Sequence, residues 1–252
     1  MRQVSGEDCE ITGGSRTDSG AHALGAVAHF DSPVPIEPAS WKRALNDVLP
    51  ADVGIREVSQ VEDRFHARFS ALDRWYRYRI AVEPRNPLTT RYVHDYGREI
   101  DLGKMEQAAE ILIGKHDFLA FSQDLPPHQN ARREIYQLVV QPAPGEIWID
   151  ITATAFARGM MRRISGALLE IGRGFREVSE IPLLLDPEHR DALKPPVVLP
   201  AKGLHLMRVR HGNRRIDESG QQDDFEDGEP DSQEPTNREE NEQNLYSQTE
   251  HD

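Results

Sequence analysis

The residues with the clearest capacity for chemistry lie in a short segment of glycine and small residues near the N-terminus. Residues 13–23 read Gly-Gly-Ser-Arg-Thr-Asp-Ser-Gly-Ala-His-Ala, which places the carboxylate of Asp18 close after the guanidinium of Arg16. Glycine and small polar residues let a backbone turn sharply and approach a ligand closely. A carboxylate presented in such a turn suits a nucleophile or a base, although an aspartate can also simply close an Asx turn.

This segment matches neither of two common catalytic loops. It lacks the Gly-Lys-Ser/Thr that ends a Walker phosphate loop and the Gly-x-Ser-x-Gly of a nucleophile elbow. Residues 13–20 could still bind the phosphate of a small molecule, so an enzyme of that class stays an alternative. His22, His29 and His66 lie near the segment, but no His-Glu-x-x-His motif occurs, and we predict no metal.

The basic residues are mostly arginine and fall in two clusters. Of the 30 basic residues, 25 are arginine. The clusters are Arg64, Arg68, Arg74, Arg77 and Arg79, and Arg158, Arg162, Arg163, Arg173 and Arg176. A guanidinium offers a planar set of donors suited to phosphate and to stacking on bases. The clusters therefore predict a polyanionic partner, with solvated element faces as the alternative.

The acidic residues are concentrated at the C-terminus of the 252-residue chain. Residues 217–252 hold 14 acidic residues and one arginine, so they account for the whole net charge of −13 and leave residues 1–216 neutral. This tail has few large apolar residues, and we predict that it is disordered. It is either a solubilising appendage or an acidic competitor of nucleic acid.

Cysteine content and hydropathy predict a cytoplasmic protein. The single cysteine, Cys9, excludes an internal disulfide and any site built from several cysteines. No apolar run approaches the roughly 18 residues of a membrane helix, and residues 1–6 do not resemble a signal peptide.

Hydrophobic periodicity predicts an α+β fold with helices on one face of the sheet. The predicted strands are 26–30, 53–58, 75–82, 133–141, 146–154 and 204–210. The predicted helices are 38–49, a helix capped by Asp101 and ending at Gly114, and 156–171. In the clearest strand, alternation places Tyr76 on the same face as Tyr78, Ile80 and Val82.

Several segments, in order, resemble one family over roughly residues 2–212. The first is Arg-Thr-Asp-Ser-Gly-Ala-His-Ala at 16–23, followed by Val-Ala-His-Phe at 27–30. The others are Phe-His-Ala-Arg-Phe-Ser-Ala at 65–71, Arg-Trp-Tyr-Arg-Tyr-Arg-Ile at 74–80, Phe-Ala-Arg-Gly-Met-Met-Arg-Arg-Ile-Ser-Gly at 156–166 and Pro-Ala-Lys-Gly-Leu-His-Leu at 200–206. Together they resemble the tRNA pseudouridine synthase A family.

The resemblance implies an isomerase that converts uridine to pseudouridine at positions 38, 39 and 40 of the tRNA anticodon stem-loop. The family uses no metal and no organic cofactor, and its members are homodimers that hold tRNA with both protomers. It implies that Asp18 is the covalent nucleophile and that Tyr76 and Arg162 are the matching active-site residues. Because the target base lies within a stem, it must be flipped out.

We also predict the residues that bind the substrate. Tyr76 can stack on uracil, and Arg16 can occupy the vacated space or grip the phosphate of the flipped nucleotide. Arg68, Arg77 and Arg158 are predicted to contact tRNA, where phosphate contacts position the RNA.

The chain also departs from the family pattern. Ser15 stands where the family usually has glycine. The family's first strand, with Tyr-Asp-Gly and Gly-Trp-Gln segments, and most of the following helix have no counterpart, so we predict an N-terminal truncation. The implied fold is two pseudo-related ferredoxin-like halves around a central cleft, a truncated catalytic half at 1–100 and a second half at 101–216, followed by the tail at 217–252. A non-catalytic RNA-binding remnant is the alternative function.

Overall fold

The structure, a computed structural model, describes residues 1–123 and 130–212. The strands in this part of the chain are β1 (Thr12–Gly13), β2 (His22–Ala23), β3 (Ala28–His29), β4 (Ala71–Ala81), β5 (His94–Asp95), β6 (Gly114–Asp117), β7 (Arg132–Ala143), β8 (Glu146–Ala153) and β9 (Leu204–His211). The α-helices are α1 (Arg2–Ser5), α2 (Pro38–Val48), α3 (Leu102–Leu112), α4 (Met160–Gly172) and α5 (Glu180–Leu185). The predicted acidic tail lies outside the described residues.

A mixed sheet organises the molecule, and the α+β class is confirmed. Its strands follow the order β2-β9-β4-β8-β7-β6, with β5 also paired to β4. Strand β2 runs parallel to β9, whereas β4 runs antiparallel to both β8 and β9. Strands β1 and β3 form a separate antiparallel pair. The long strand β4 therefore lies inside the sheet, and the last strand, β9, joins the N-terminal strand β2 to it.

The core lies between one face of the sheet and helices α3 and α4. Tyr76, Tyr78 and Ile80 of β4 are all buried on this face, as the alternation predicts. Helix α4 has a broad apolar face and is buried along most of its length. Helix α3 begins where predicted, because the Asp101 side chain accepts a hydrogen bond from the Lys104 N–H at 3.1 Å.

One predicted strand was wrong, and one predicted helix was given too early a start. Residues 53–58 form no strand. The side chain of Asn46 takes the place of a partner strand, since it accepts from the Ile55 N–H at 2.8 Å and donates to the Ile55 carbonyl at 2.9 Å. The helix predicted from 156 begins only at Met160, because Gly159 has φ 72° in the left-handed region, which a continuing α-helix cannot contain.

The described residues up to Gly212 belong to one compact unit. The pseudo-symmetric halves and the boundary near residue 100 stay predictions. No helix in the described ranges combines the length and the apolar character needed to cross a bilayer.

Candidate active site

Asp18 lies in a tight turn between β1 and β2. The carbonyl of Asp18 accepts a hydrogen bond from the Ala21 N–H at 3.0 Å, which closes the turn. Gly20 has φ 84°, a conformation that L-residues rarely adopt, so the turn depends on glycine there. The Asp18 side chain is 33% exposed and can therefore meet a ligand from solvent.

The turn is held from the C-terminal side by β2. His22 lies opposite His205 in the parallel pairing of β2 with β9. Their imidazole rings stack with centroids 5.0 Å apart. The Nε2 atom of His22 also lies 2.9 Å from the carbonyl of Arg91. These contacts fix the backbone immediately after Asp18 to the sheet.

Arg162 of helix α4 contacts Asp18 directly. Its Nη1 donates to Asp18 Oδ2 at 2.5 Å, and its Nε donates to the carbonyl of Leu199 at 2.6 Å. The guanidinium is thus oriented by a backbone acceptor on one side and offers its other edge to the carboxylate. The Arg162 side chain is only 18% exposed, so the ion pair is partly shielded from water.

Tyr76 lies beside this pair on the helix-covered face of β4. Its ring packs edge-on against Phe156 with centroids 4.8 Å apart, and its hydroxyl lies 2.7 Å from Ser15 Oγ. Burial raises the pKa of Tyr76, and the charge of Asp18 adds to that effect, whereas the Ser15 hydrogen bond and the charge of Arg74 oppose it. The side chain is therefore a neutral phenol near pH 7.

The predicted substrate-binding arginines occupy different places. Arg16, Arg68 and Arg158 are exposed. Arg16 lies in the segment that carries Asp18, and Arg158 lies just before α4. Arg68 also stacks over the Phe69 ring at 5.7 Å. These three side chains are accessible to a polyanion.

Arg77 is not brought to Asp18. Alternation along β4 places it on the face opposite Tyr76, where it makes a bidentate ion pair with Asp150 at 2.9 and 3.0 Å. Its guanidinium also lies 3.9 Å from the centroid of the Trp148 ring. Arg77 is buried, and its predicted contact with tRNA stays a prediction.

Sequence reasoning missed the part played by Arg74. This arginine belongs to the first cluster, for which a polyanionic partner was predicted, yet it is buried and donates to the carbonyls of Gly14, Arg68 and Thr154 at 3.4, 3.0 and 2.8 Å. It therefore ties the segment preceding Asp18 to the sheet. The alternation along β4 could have predicted this burial, because it places residue 74 on the buried face with Tyr76.

The fold thus brings Asp18, Arg162 and Tyr76 near one another from distant parts of the chain. In the described ranges, no group of three or more His, Cys, Asp or Glu side chains has a geometry that could hold a metal ion. The site offers one carboxylate, one guanidinium and one phenol. Those groups suit nucleophilic attack, charge stabilisation and contact with a planar base.

Comparison with known proteins finds relatives over most of the chain. A family model described as tRNA pseudouridine synthase matches residues 108–211. The tRNA pseudouridine synthase A of Syntrophotalea carbinolica is 36% identical over 212 residues, which are 84% of this chain and 83% of that protein. The chain belongs to the tRNA pseudouridine synthase A family.

Other members extend the comparison. The tRNA pseudouridine synthase A of Bacillus pumilus is 37% identical over 81% of this chain and 82% of its own length. The tRNA pseudouridine synthase A 2 of Bacillus cereus is 36% identical over 83% of this chain and 85% of its own length. The family is one of isomerases that convert uridine to pseudouridine. The resemblance found in the motifs is therefore confirmed.

Proposed function

We propose that this protein isomerises uridine to pseudouridine in the anticodon stem-loop of tRNA, with Asp18 as the nucleophile. The observation that carries the proposal is the partly exposed Asp18 carboxylate held by Arg162 beside the phenol of Tyr76. Membership of the family supports the same reaction.

The reaction rearranges bonds within one nucleotide. The N1–C1′ bond breaks, the uracil turns, a C5–C1′ bond forms, and the proton on C5 is lost while N1 gains one. No atom or electron is added overall. A carboxylate assists by attacking the sugar or the base, which divides one difficult step into two easier ones.

Arg162 determines which carboxylate oxygen of Asp18 can attack. It engages Oδ2 at 2.5 Å, so we assign the attack to Oδ1. The hydrogen bond from Arg162 to Leu199 keeps the guanidinium from following the carboxylate when its charge changes. Arg162 is thus placed to orient Asp18 before attack and to receive it again on release.

Tyr76 and Arg16 have complementary roles toward the flipped nucleotide. The Tyr76 ring provides a surface on which uracil stacks, and its neutral hydroxyl can relay a proton. Arg16 is exposed in the same segment as Asp18 and is assigned to the vacated space or the nucleotide's phosphate. Exposed Arg68 and Arg158 are assigned to phosphate contacts that position the stem.

The decisive test is turnover of unmodified tRNA. The wild-type protein is expected to form pseudouridine in the anticodon stem-loop, mapped by chemical modification and sequencing. Asp18→Asn keeps the shape and an acceptor for Arg162 but removes the nucleophile, so we expect kcat to fall about 10³-fold or more with tRNA affinity retained. The control is Asp52→Asn at an exposed turn residue.

The same assay separates the alternatives. Binding of tRNA without turnover by the wild type supports a non-catalytic RNA-binding protein. A wild-type protein that shows no tRNA binding and no turnover supports the remaining alternative, an enzyme that acts on a small phosphate compound through residues 13–20.

We also infer a homodimer from family membership. Light scattering across a range of protein concentrations, with and without tRNA, tests this assembly. A particle with the mass of a single 28.6 kDa chain throughout would contradict it.

A further inference from the structure

Ser15 contacts the site but has no role in the proposed chemistry so far. Its Oγ lies 2.7 Å from the Tyr76 hydroxyl oxygen. The Tyr76 ring is fixed by burial, with 5% of the residue exposed, and by its packing on Phe156. Ring packing does not fix the hydroxyl proton, because that proton rotates about the C–O bond. The hydrogen bond with Ser15 does.

The backbone that carries Ser15 is held firmly on several sides. The N–H of Gly14 donates to the Val27 carbonyl at 2.7 Å, and the Gly14 carbonyl accepts from the buried Arg74. A Cβ atom at position 14 would lie 2.5 Å from the Ala67 carbonyl oxygen, so only glycine fits there without movement. Ser15 therefore presents its hydroxyl from a fixed backbone position on a short side chain.

We propose that Ser15 is a positioning residue that fixes the direction of the Tyr76 hydroxyl toward the substrate base. The inference rests on the proposed function of Asp18 and Tyr76 as parts of one active site. Either oxygen can donate in this pair, and in both arrangements the torsion of the phenolic hydroxyl is set. Tyr76 then offers the same proton or lone pair to uracil in every turnover.

Electrostatics around the phenol support the same role. Burial and the charge of Asp18 raise the pKa of Tyr76, whereas the Ser15 hydrogen bond lowers it. Loss of the Ser15 hydroxyl therefore leaves a more weakly acidic phenol with an unconstrained proton. Ser15 lies only three residues before Asp18, so one backbone segment positions both the nucleophile and the phenol.

The test is a double-mutant cycle between Ser15→Ala and Tyr76→Phe. Ser15→Ala removes one partly exposed oxygen, and we expect kcat to fall by about threefold to tenfold with KM unchanged, as for loss of one neutral hydrogen bond. In the Tyr76→Phe background the same change is expected to have no further effect on kcat, because the hydroxyl it orients is absent. Thermal unfolding of each variant is measured alongside.

A matched control comes from another partly buried serine. Ser122 Oγ donates to the Phe118 carbonyl at 2.9 Å and takes no part in the proposed site. Ser122→Ala is expected to leave kcat unchanged. A wild-type kcat in Ser15→Ala, a change in KM alone, or an equal loss of kcat in the Tyr76→Phe background would overturn the role of Ser15.

A second readout does not depend on activity. The ¹³Cζ resonance of Tyr76, identified by its loss in Tyr76→Phe, is expected to shift in Ser15→Ala at pH 7 but not in Ser122→Ala. If this resonance does not shift in Ser15→Ala, the role proposed for Ser15 is contradicted even if the wild type modifies tRNA. If the wild type does not modify tRNA, the proposed function fails, and the resonance alone decides whether Ser15 orients the phenol.

Discussion

At the scale of single residues, the site depends on the fork geometry of one guanidinium. Arg162 uses Nη1 for Asp18 and Nε for the Leu199 carbonyl at the same time. A lysine ammonium carries the same charge on a flexible stem but cannot hold two acceptors in this fixed arrangement. Orientation of the carboxylate, rather than charge alone, is what the arginine adds.

Replacement of Arg162 by lysine tests this distinction. Arg162→Lys is expected to lower kcat by about 10- to 100-fold, the effect of losing one charge-assisted hydrogen bond and its geometry, with little change in tRNA affinity. Single-turnover kinetics and filter binding measure the two effects. Arg208→Lys, at an exposed position on β9, is the control. Unchanged kcat in Arg162→Lys would show that charge alone is sufficient.

At the scale of elements, helix α4 and the segment before β9 jointly position Arg162. Gly166 of α4 packs so closely on the Val197 backbone that a Cβ atom would overlap the Val197 carbonyl. Two residues after Val197, the same segment supplies the Leu199 carbonyl that orients Arg162. The close approach of helix and segment is therefore coupled to the candidate active site.

A methyl group at this contact is expected to affect both stability and turnover. Gly166→Ala must separate two backbones, so we expect the free energy of unfolding to fall by about 1–3 kcal/mol and kcat to fall with it. Gly103→Ala in α3 is the matched control, because its Cβ meets only ordinary contacts, and it is expected to be neutral or stabilising by up to about 1 kcal/mol. Urea unfolding and tRNA turnover provide the two measurements. Equal stability of the two variants would contradict the packing argument.

At the scale of the whole molecule, the buried His205, together with the partly buried His66 and His94, makes the folded state sensitive to acid. His205 is buried on the sheet between β2 and β4, and burial lowers its pKa to about 4, with smaller effects of the same sign from His22 and Arg79. Burial also lowers the pKa of His66 and His94. Between about pH 4 and the ordinary histidine pKa of about 6.5, the unfolded chain therefore binds more protons than the folded one.

Stability is accordingly expected to fall as the pH drops from about 6.5 to 4. For His205 the loss is up to about 3 kcal/mol, completed near pH 4. Denaturant unfolding at a series of pH values measures this slope. His205→Gln is expected to flatten it, whereas His116→Gln, at a partly exposed histidine of β6, leaves it unchanged. A slope that His205→Gln does not alter would refute the assignment to this histidine.

Much of the architecture could be predicted from local patterns. Helices α2 and α3, the β7–β8 pair and strand β9 follow from periodicity, capping and turn residues that act over short distances. Two errors, at residues 53–58 and at the start of α4, arose where a side-chain amide or a left-handed glycine overrode the periodicity. The acidic segment 217–252 was recognisable from composition alone.

The sequence by itself determined the family and the α+β class, and it predicted Asp18, Arg162 and Tyr76 as a set, because ordered motifs carry that information without coordinates. Only the tertiary structure decided how the arginines divide. Arg74 became a buried clamp on carbonyls and Arg77 an ion pair with Asp150, whereas Arg162 reached Asp18 across 144 positions of the chain. The reason is physical: a guanidinium has the same charge and donors everywhere, and its partner is set by the strand face and helix position on which folding places it.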